Sequence, residues 1–143
     1  MLSTSRMISA DPTSVALLLA DPAVVELWPS AHRDQAAGEI VAGRVPLCVG
    51  ESCGELRALA PRRTPTAFVL RFDFDAKSGA VLGDCTHVEG RIELAAAGDP
   101  SGVGSRPCTH ATLELRGPEG LRADAETFLQ RVAEAAERRA RAA

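Results

Sequence analysis

The clearest periodicity lies at the C-terminal end. Leu121, Ala125, Phe128, Leu129, Val132 and Ala136 recur at helical spacing over residues 121–136, with charged or small residues between them. Asp124 and Glu126 stand in the first turns and Arg138, Arg139 and Arg141 near the end, both signs matched to the helix macrodipole. A helix with one apolar stripe must lie on something. Upstream, from about residue 31 to 116, the period changes to two. In residues 66–75, Phe68, Leu70, Phe72 and Phe74 share one parity while Arg71, Asp73 and Asp75 take the other, the mark of a half-buried strand. Residues 82–96 alternate likewise, with Thr86, Val88, Ile92 and Leu94 opposite His87, Glu89, Arg91 and Glu93. A polar Gly/Pro/Ser loop over 98–107 leads into a last strand with Thr109, Ala111, Leu113 and Leu115 inward, and Gly117-Pro118-Glu119-Gly120 breaks the sheet.

Near the N-terminus, Asp11-Pro12 and Asp21-Pro22 each put a capping carboxylate before a proline whose missing N–H costs nothing at the first helical position. They predict a helix over 12–20, carrying Val15, Leu18 and Leu19 on one face, and a short one over 22–27 that Trp28-Pro29 ends. Residues 4–9 read as a short strand before them. Gly38, Gly43, Gly54 and Pro61 punctuate the middle of the chain, where strand limits are open. The expected class is α+β: one domain over 1–143, a curved antiparallel sheet of about seven strands, two short helices, and a long C-terminal helix packed across the sheet.

This order resembles the START-related SRPBCC superfamily of helix-grip proteins, which includes polyketide cyclase/dehydrase-like and Bet v 1-like members. Three stretches carry the likeness. Ile8-Ser9-Ala10-Asp11-Pro12, with Asp21-Pro22 and Trp28-Pro29 after it, is similar to the family's opening of strand and two helices. Val88-Glu89-Gly90-Arg91-Ile92-Glu93-Leu94, a loop, and then residues 109–115 is similar to its final hairpin. The helix from Leu121 matches the element that grips the sheet. The resemblance covers essentially the whole chain. It implies the fold directly, and an internal cavity for a small hydrophobic molecule such as a lipid or a polyketide-like compound.

Composition narrows the function classes. With 143 residues, 45% hydrophobic and 24% charged, the chain is an ordinary globular domain. A net charge of −3 with mixed signs gives no basic stripe for a phosphate backbone, so nucleic acid is not an expected partner. The longest apolar run, around Val15–Leu19 and on to Val24 and Val25, is broken at Asp21-Pro22 and falls short of the ~20 residues of a membrane span. With no secretory pattern at the start, the expectation is a cytoplasmic protein. Lys77 is the only lysine, a bias of high-GC bacterial genomes. Cys48, Cys53, Cys85 and Cys108 lack the spacing of a zinc knuckle or redox CxxC, and in that compartment they are expected reduced.

The expected ligand-binding residues are the inward side chains Phe68, Leu70, Phe72, Phe74, Val88, Ile92, Leu94, Leu113 and Phe128, with Trp28 beside them. The alternative is that they pack as a dry core. If Val45, Leu47 and Val49 point inward, parity carries Glu51 and Cys53 to the same face, which makes Glu51 a ligand anchor or acid/base candidate with a raised pKa; the alternative is a bulge that turns it to solvent. Thr86 and Thr109 are milder inward candidates, and His32 is expected near the cavity mouth. The repeated Cys85-Thr86-His87 and Cys108-Thr109-His110 offer metal-type donors, but a hairpin pairing sets them roughly 20 Å apart along the sheet, so no metal site is expected within one chain; a site across a homodimer stays open. No phosphate loop or HExxH is present, and no cofactor is expected. Two functions remain: binding or transport of a hydrophobe, favoured by the aliphatic inner face, or a cyclase/aromatase or dehydratase using Glu51 with a histidine or threonine. An interaction module is a third.

Overall fold

The computed structural model describes residues 1–34, 43–59, 61–79, 85–98 and 107–142. Strand β1 (Leu2–Ile8) leads into helix α1 (Pro12–Ala20). The Asp11 carboxylate accepts from the Ser14 backbone N–H at 3.2 Å and from the Ser14 hydroxyl, and Pro12 opens the first turn. Asp21 repeats the device, accepting from the Ala23 backbone N–H at 2.9 Å. The segment it caps, Pro22–Leu27, is a 3-10 helix rather than an α-helix, the usual form for so short a piece. Ser30, in the left-handed region at φ 65°, then turns the chain into β2 (Ala31–Arg33).

The remaining strands are β3 (Arg44–Val49), β4 (Ser52–Ala58), β5 (Arg62–Arg63), β6 (Ala67–Ser78), β7 (His87–Ala97) and β8 (Cys108–Arg116). They form one antiparallel sheet in the order β1-β8-β7-β6-β4-β3-β2, with the two-residue β5 also on β6. The period-two reading matches the pleat: Thr109, Ala111, Leu113 and Leu115 of β8 and Val88, Ile92 and Leu94 of β7 are buried. Of the strand expected over 82–96, residues 82–84 lie outside the described residues, as do Gly38 and most of the 98–107 loop.

β3 and β4 meet in a two-residue hairpin of Gly50 and Glu51, with Gly50 at φ 60° in the first central position, the requirement of a type II′ turn. Here the sequence expectation is corrected. Strand parity ends at a turn, so Glu51 does not continue the inward row of Val45, Leu47 and Val49 and stands exposed. Beyond the turn Cys53 lies opposite Cys48, on the other face, and the two sulfurs form a disulfide. The expectation that these cysteines are reduced is corrected with it. Cys85 and Cys108 are free thiols.

A 3-10 turn at Glu119–Leu121 leads into α2 (Arg122–Ala142). Its predicted stripe, Leu121, Ala125, Phe128, Leu129, Val132 and Ala136, is buried, joined by Ala133. The helix lies mainly along β1 and over β8, with α1 and the 3-10 segment on its flank. Three polar clamps set its position: Arg122 Nη1 donates to the Ser3 carbonyl at 3.0 Å, Arg131 Nη1 to the Leu27 carbonyl at 3.1 Å, and Glu137 accepts from the Ser9 N–H at 2.9 Å. At about 1.5–3 kcal/mol per large buried side chain, against about 1 kcal/mol per hydrogen bond, the stripe holds the helix and the clamps orient it. The fold is α+β in a helix-grip arrangement. No helix among the described residues is long and apolar enough to cross a membrane.

Candidate functional site

The buried side chains fall into two groups. The larger joins α1 and α2 to β1, β8 and β7 through Leu2, Ile8, Val15, Leu94, Leu113 and Val132. The smaller joins the 3-10 segment to β3 and β6 through Val25, Val45, Leu47 and Phe74. Because α2 grips the β1–β8 side of the sheet, nothing of comparable bulk among the described residues lies over β3 and β4. A cavity of about 500 Å³ opens between the two groups.

Its walls are mostly hydrocarbon, with Asp21 and Arg71 the charged residues on the lining. The sheet supplies Val45, Leu47 and Val49 from β3, Leu56 and Ala58 from β4, Leu70, Phe72 and Phe74 from β6, Val88 and Ile92 from β7, and Leu115 from β8. The helical side adds Leu19, Val24, Val25, Trp28, Leu121 and Phe128. Trp28 and Phe128 contact each other with ring centroids 5.7 Å apart, closing the roof between the 3-10 segment and α2. One glycine shapes the floor. Gly90 pairs with Phe72, and a Cβ on Gly90 would fall 2.3 Å from the Phe72 ring and 2.8 Å from Leu115, so only glycine leaves room for the ring to lie across β7. Such a volume corresponds to roughly 17 water molecules at ~30 Å³ each, and each buried water needs two to four polar partners. Among the lining side chains only Asp21, Arg71 and the Trp28 N–H can supply them.

Of the expected binding residues, Trp28, Leu70, Phe72, Phe74, Val88, Ile92 and Phe128 line the cavity. Phe68, Leu94 and Leu113 do not. Leu94 and Leu113 are fully buried beneath the helices, and half-buried Phe68 packs against that same group with the Arg63 guanidinium 5.5 Å over its ring. Sequence reasoning did not assign Leu56, Ala58, Val24 or Leu115 to the lining. Leu56 and Ala58 alternate with Glu55 and Arg57, a two-sided strand signal that was present but obscured by the glycines around it.

The polar candidates stand elsewhere. Glu51 is at the exposed hairpin turn, and Thr86 is exposed. Thr109 is buried, but its hydroxyl donates to the Ala10 carbonyl at 2.7 Å, tying β8 to the start of α1. His32 pairs with Cys48, whose face is opposite to that of Leu47 and Val49, so it does not stand at the mouth. The Cys-Thr-His repeats are also separated: His110 pairs with Ala95, eight positions along β7 from His87, roughly 26 Å at ~3.3 Å per residue. Displaced pKa values occur at helix starts. The Ser14 hydroxyl lowers Asp11, and hydrogen bonding between Glu119 and Arg122 lowers the acid and raises the base.

No protein-family model matches the chain, and no curated protein matches its sequence. Solved structures do share its fold. The hypothetical protein jhp0584 from Helicobacter pylori superposes with a TM-score of 0.56 at 10% identity, over 94% of this chain and 86% of that one. Protein CV1439 from Chromobacterium violaceum gives 0.54 at 15% identity, over 95% and 96%. At such identities the likeness is one of fold: an antiparallel sheet with a C-terminal helix, spanning nearly the full length of each chain.

Proposed function

We propose that the chain is an SRPBCC-type helix-grip protein that binds or transports a small hydrophobic molecule, lipid or polyketide-like, in its internal cavity. The observation that carries this reading is the cavity itself. About 500 Å³ falls within the ~300–1,000 Å³ of small-molecule sites, and the wall is predominantly aliphatic and aromatic. Water inside has few partners to hold it, so a hydrophobe displaces it at little cost. Binding is non-covalent and driven by removal of apolar surface from water. The reading as a cyclase or dehydratase loses its acid/base candidate, since Glu51 stands outside the cavity. The proposed setting is the cytoplasm.

The test is titration with a fluorescent fatty acid, alone and in competition with unlabelled hydrophobes. Wild type should saturate at one probe per chain. Leu47→Trp, which adds volume to the wall, should weaken binding at least tenfold with the fold retained by circular dichroism, while Glu51→Gln should leave it unchanged. A wild type that binds no probe, or a folded Leu47→Trp that binds equally well, would overturn the proposal.

A further inference from the structure

On the side of the sheet away from the cavity, Cys48 and Cys53 face each other across the β3–β4 hairpin. Asp34, at the end of β2, brings a carboxylate oxygen to them: the three donor atoms all lie within 4.8 Å of one another. Cys48 is buried, and Cys53 and Asp34 are half-buried. His32 stands opposite Cys48 in the β2–β3 register, on the same side of the sheet. Cavity and cluster share no residue, so neither depends on the other.

Two sulfurs and a carboxylate oxygen are donor types that one zinc-like ion takes together. We propose that the reduced form of this hairpin is a binding site for a thiophilic divalent ion of the zinc type, held by Cys48 Sγ, Cys53 Sγ and the Asp34 carboxylate, and that disulfide formation switches the site off. With Zn–S bonds of ~2.3 Å, tetrahedral sulfur ligands sit roughly 3.8 Å apart. The sulfurs therefore separate once their bond is broken, and the carboxylate closes in by about 1 Å from the outer limit of its present distance. The two-residue turn keeps both cysteines in register without the disulfide, so the chelate is set by the hairpin. The fourth position falls to water or to His32.

The chemistry balances as two steps. Two low-molecular-weight thiols reduce the Cys48–Cys53 bond, giving two protein thiols and one small-molecule disulfide. The ion then binds as the thiols release two protons. Oxidation by a small-molecule disulfide reverses both steps and expels the metal.

Cobalt(II) is the probe, added anaerobically to the whole protein after reduction with a phosphine and removal of the reductant. Reduced wild type should take up one equivalent with a thiolate-to-cobalt charge-transfer band that zinc bleaches, releasing two protons per ion. Oxidised wild type, folded and identical in sequence, should give no band. Cys53→Ser should lose it, Cys85→Ser should keep it, and Asp34→Asn should weaken affinity at least tenfold. No band in reduced wild type overturns the site. So does a band that survives Cys53→Ser or oxidation, or an affinity indifferent to Asp34→Asn.

Discussion

The carboxylate of Asp11 accepts from both the hydroxyl and the backbone N–H of Ser14, and the hydroxyl bond is the largest cause of its lowered pKa. A folded-state pKa below the unfolded 3.8 means this stabilisation is complete above that value and is lost as pH falls through the folded pKa. Asp11→Ala should cost about 1 kcal/mol in urea unfolding at pH 7, with the gap to wild type narrowing below pH 3.8; a gap independent of pH would contradict the cap. Ser52 is the opposite case, a fully buried hydroxyl with no hydrogen-bond partner among the described residues. Replacing it removes an uncompensated polar group, so Ser52→Ala should raise stability by about 1 kcal/mol in the same assay. Gly90 couples packing to function. Gly90→Ala drives a methyl into the Phe72 ring and Leu115, which should cost about 1–3 kcal/mol and, by tilting a wall residue, weaken probe binding as well. Unchanged thermal unfolding and affinity would show that the ring does not depend on that glycine.

Elements differed in how openly their sequences declared them. α2 and strands β6 to β8 were legible because each repeats its period several times over, so single exceptions do not blur the phase. Leu129, in the middle of the α2 stripe, should therefore cost about 2–5 kcal/mol on truncation to alanine, read by urea unfolding. The β3–β4 hairpin was not legible. Two residues, Gly50 and Glu51, decide where parity stops, and a register shift between Cys53 and Gly54 disturbs it again. Glu51 and Cys53 thus both left the inward face expected of them. The disulfide there spans a sequence separation of only 5, worth about 2 kcal/mol by loop-closure entropy. Reduction should lower the unfolding free energy by no more than that, leaving the hairpin formed.

For the whole molecule, the inward face could be read from alternation, but the location of empty space on that face could not. Leu94 and Leu113 share their parity with Ile92, yet they lie in the dry core while Ile92 lines the cavity. The difference between them is which end of the sheet α2 covers, a tertiary outcome of its packing on β1 and β8 that no local pattern encodes. The gap left over β3 and β4 is the molecule's defining feature, a mostly hydrocarbon wall around about 500 Å³ with few partners for water. Its role as a ligand site is decided by native mass spectrometry of the protein, purified without detergent and then exposed to a mixed panel of fatty acids and polycyclic aromatics. The expected result is a one-to-one adduct with a small hydrophobic molecule, carried from the cell or taken from the panel, that is released on unfolding and lost in Leu47→Trp. Bare protein mass under both conditions, from a folded sample, would refute a ligand-binding cavity.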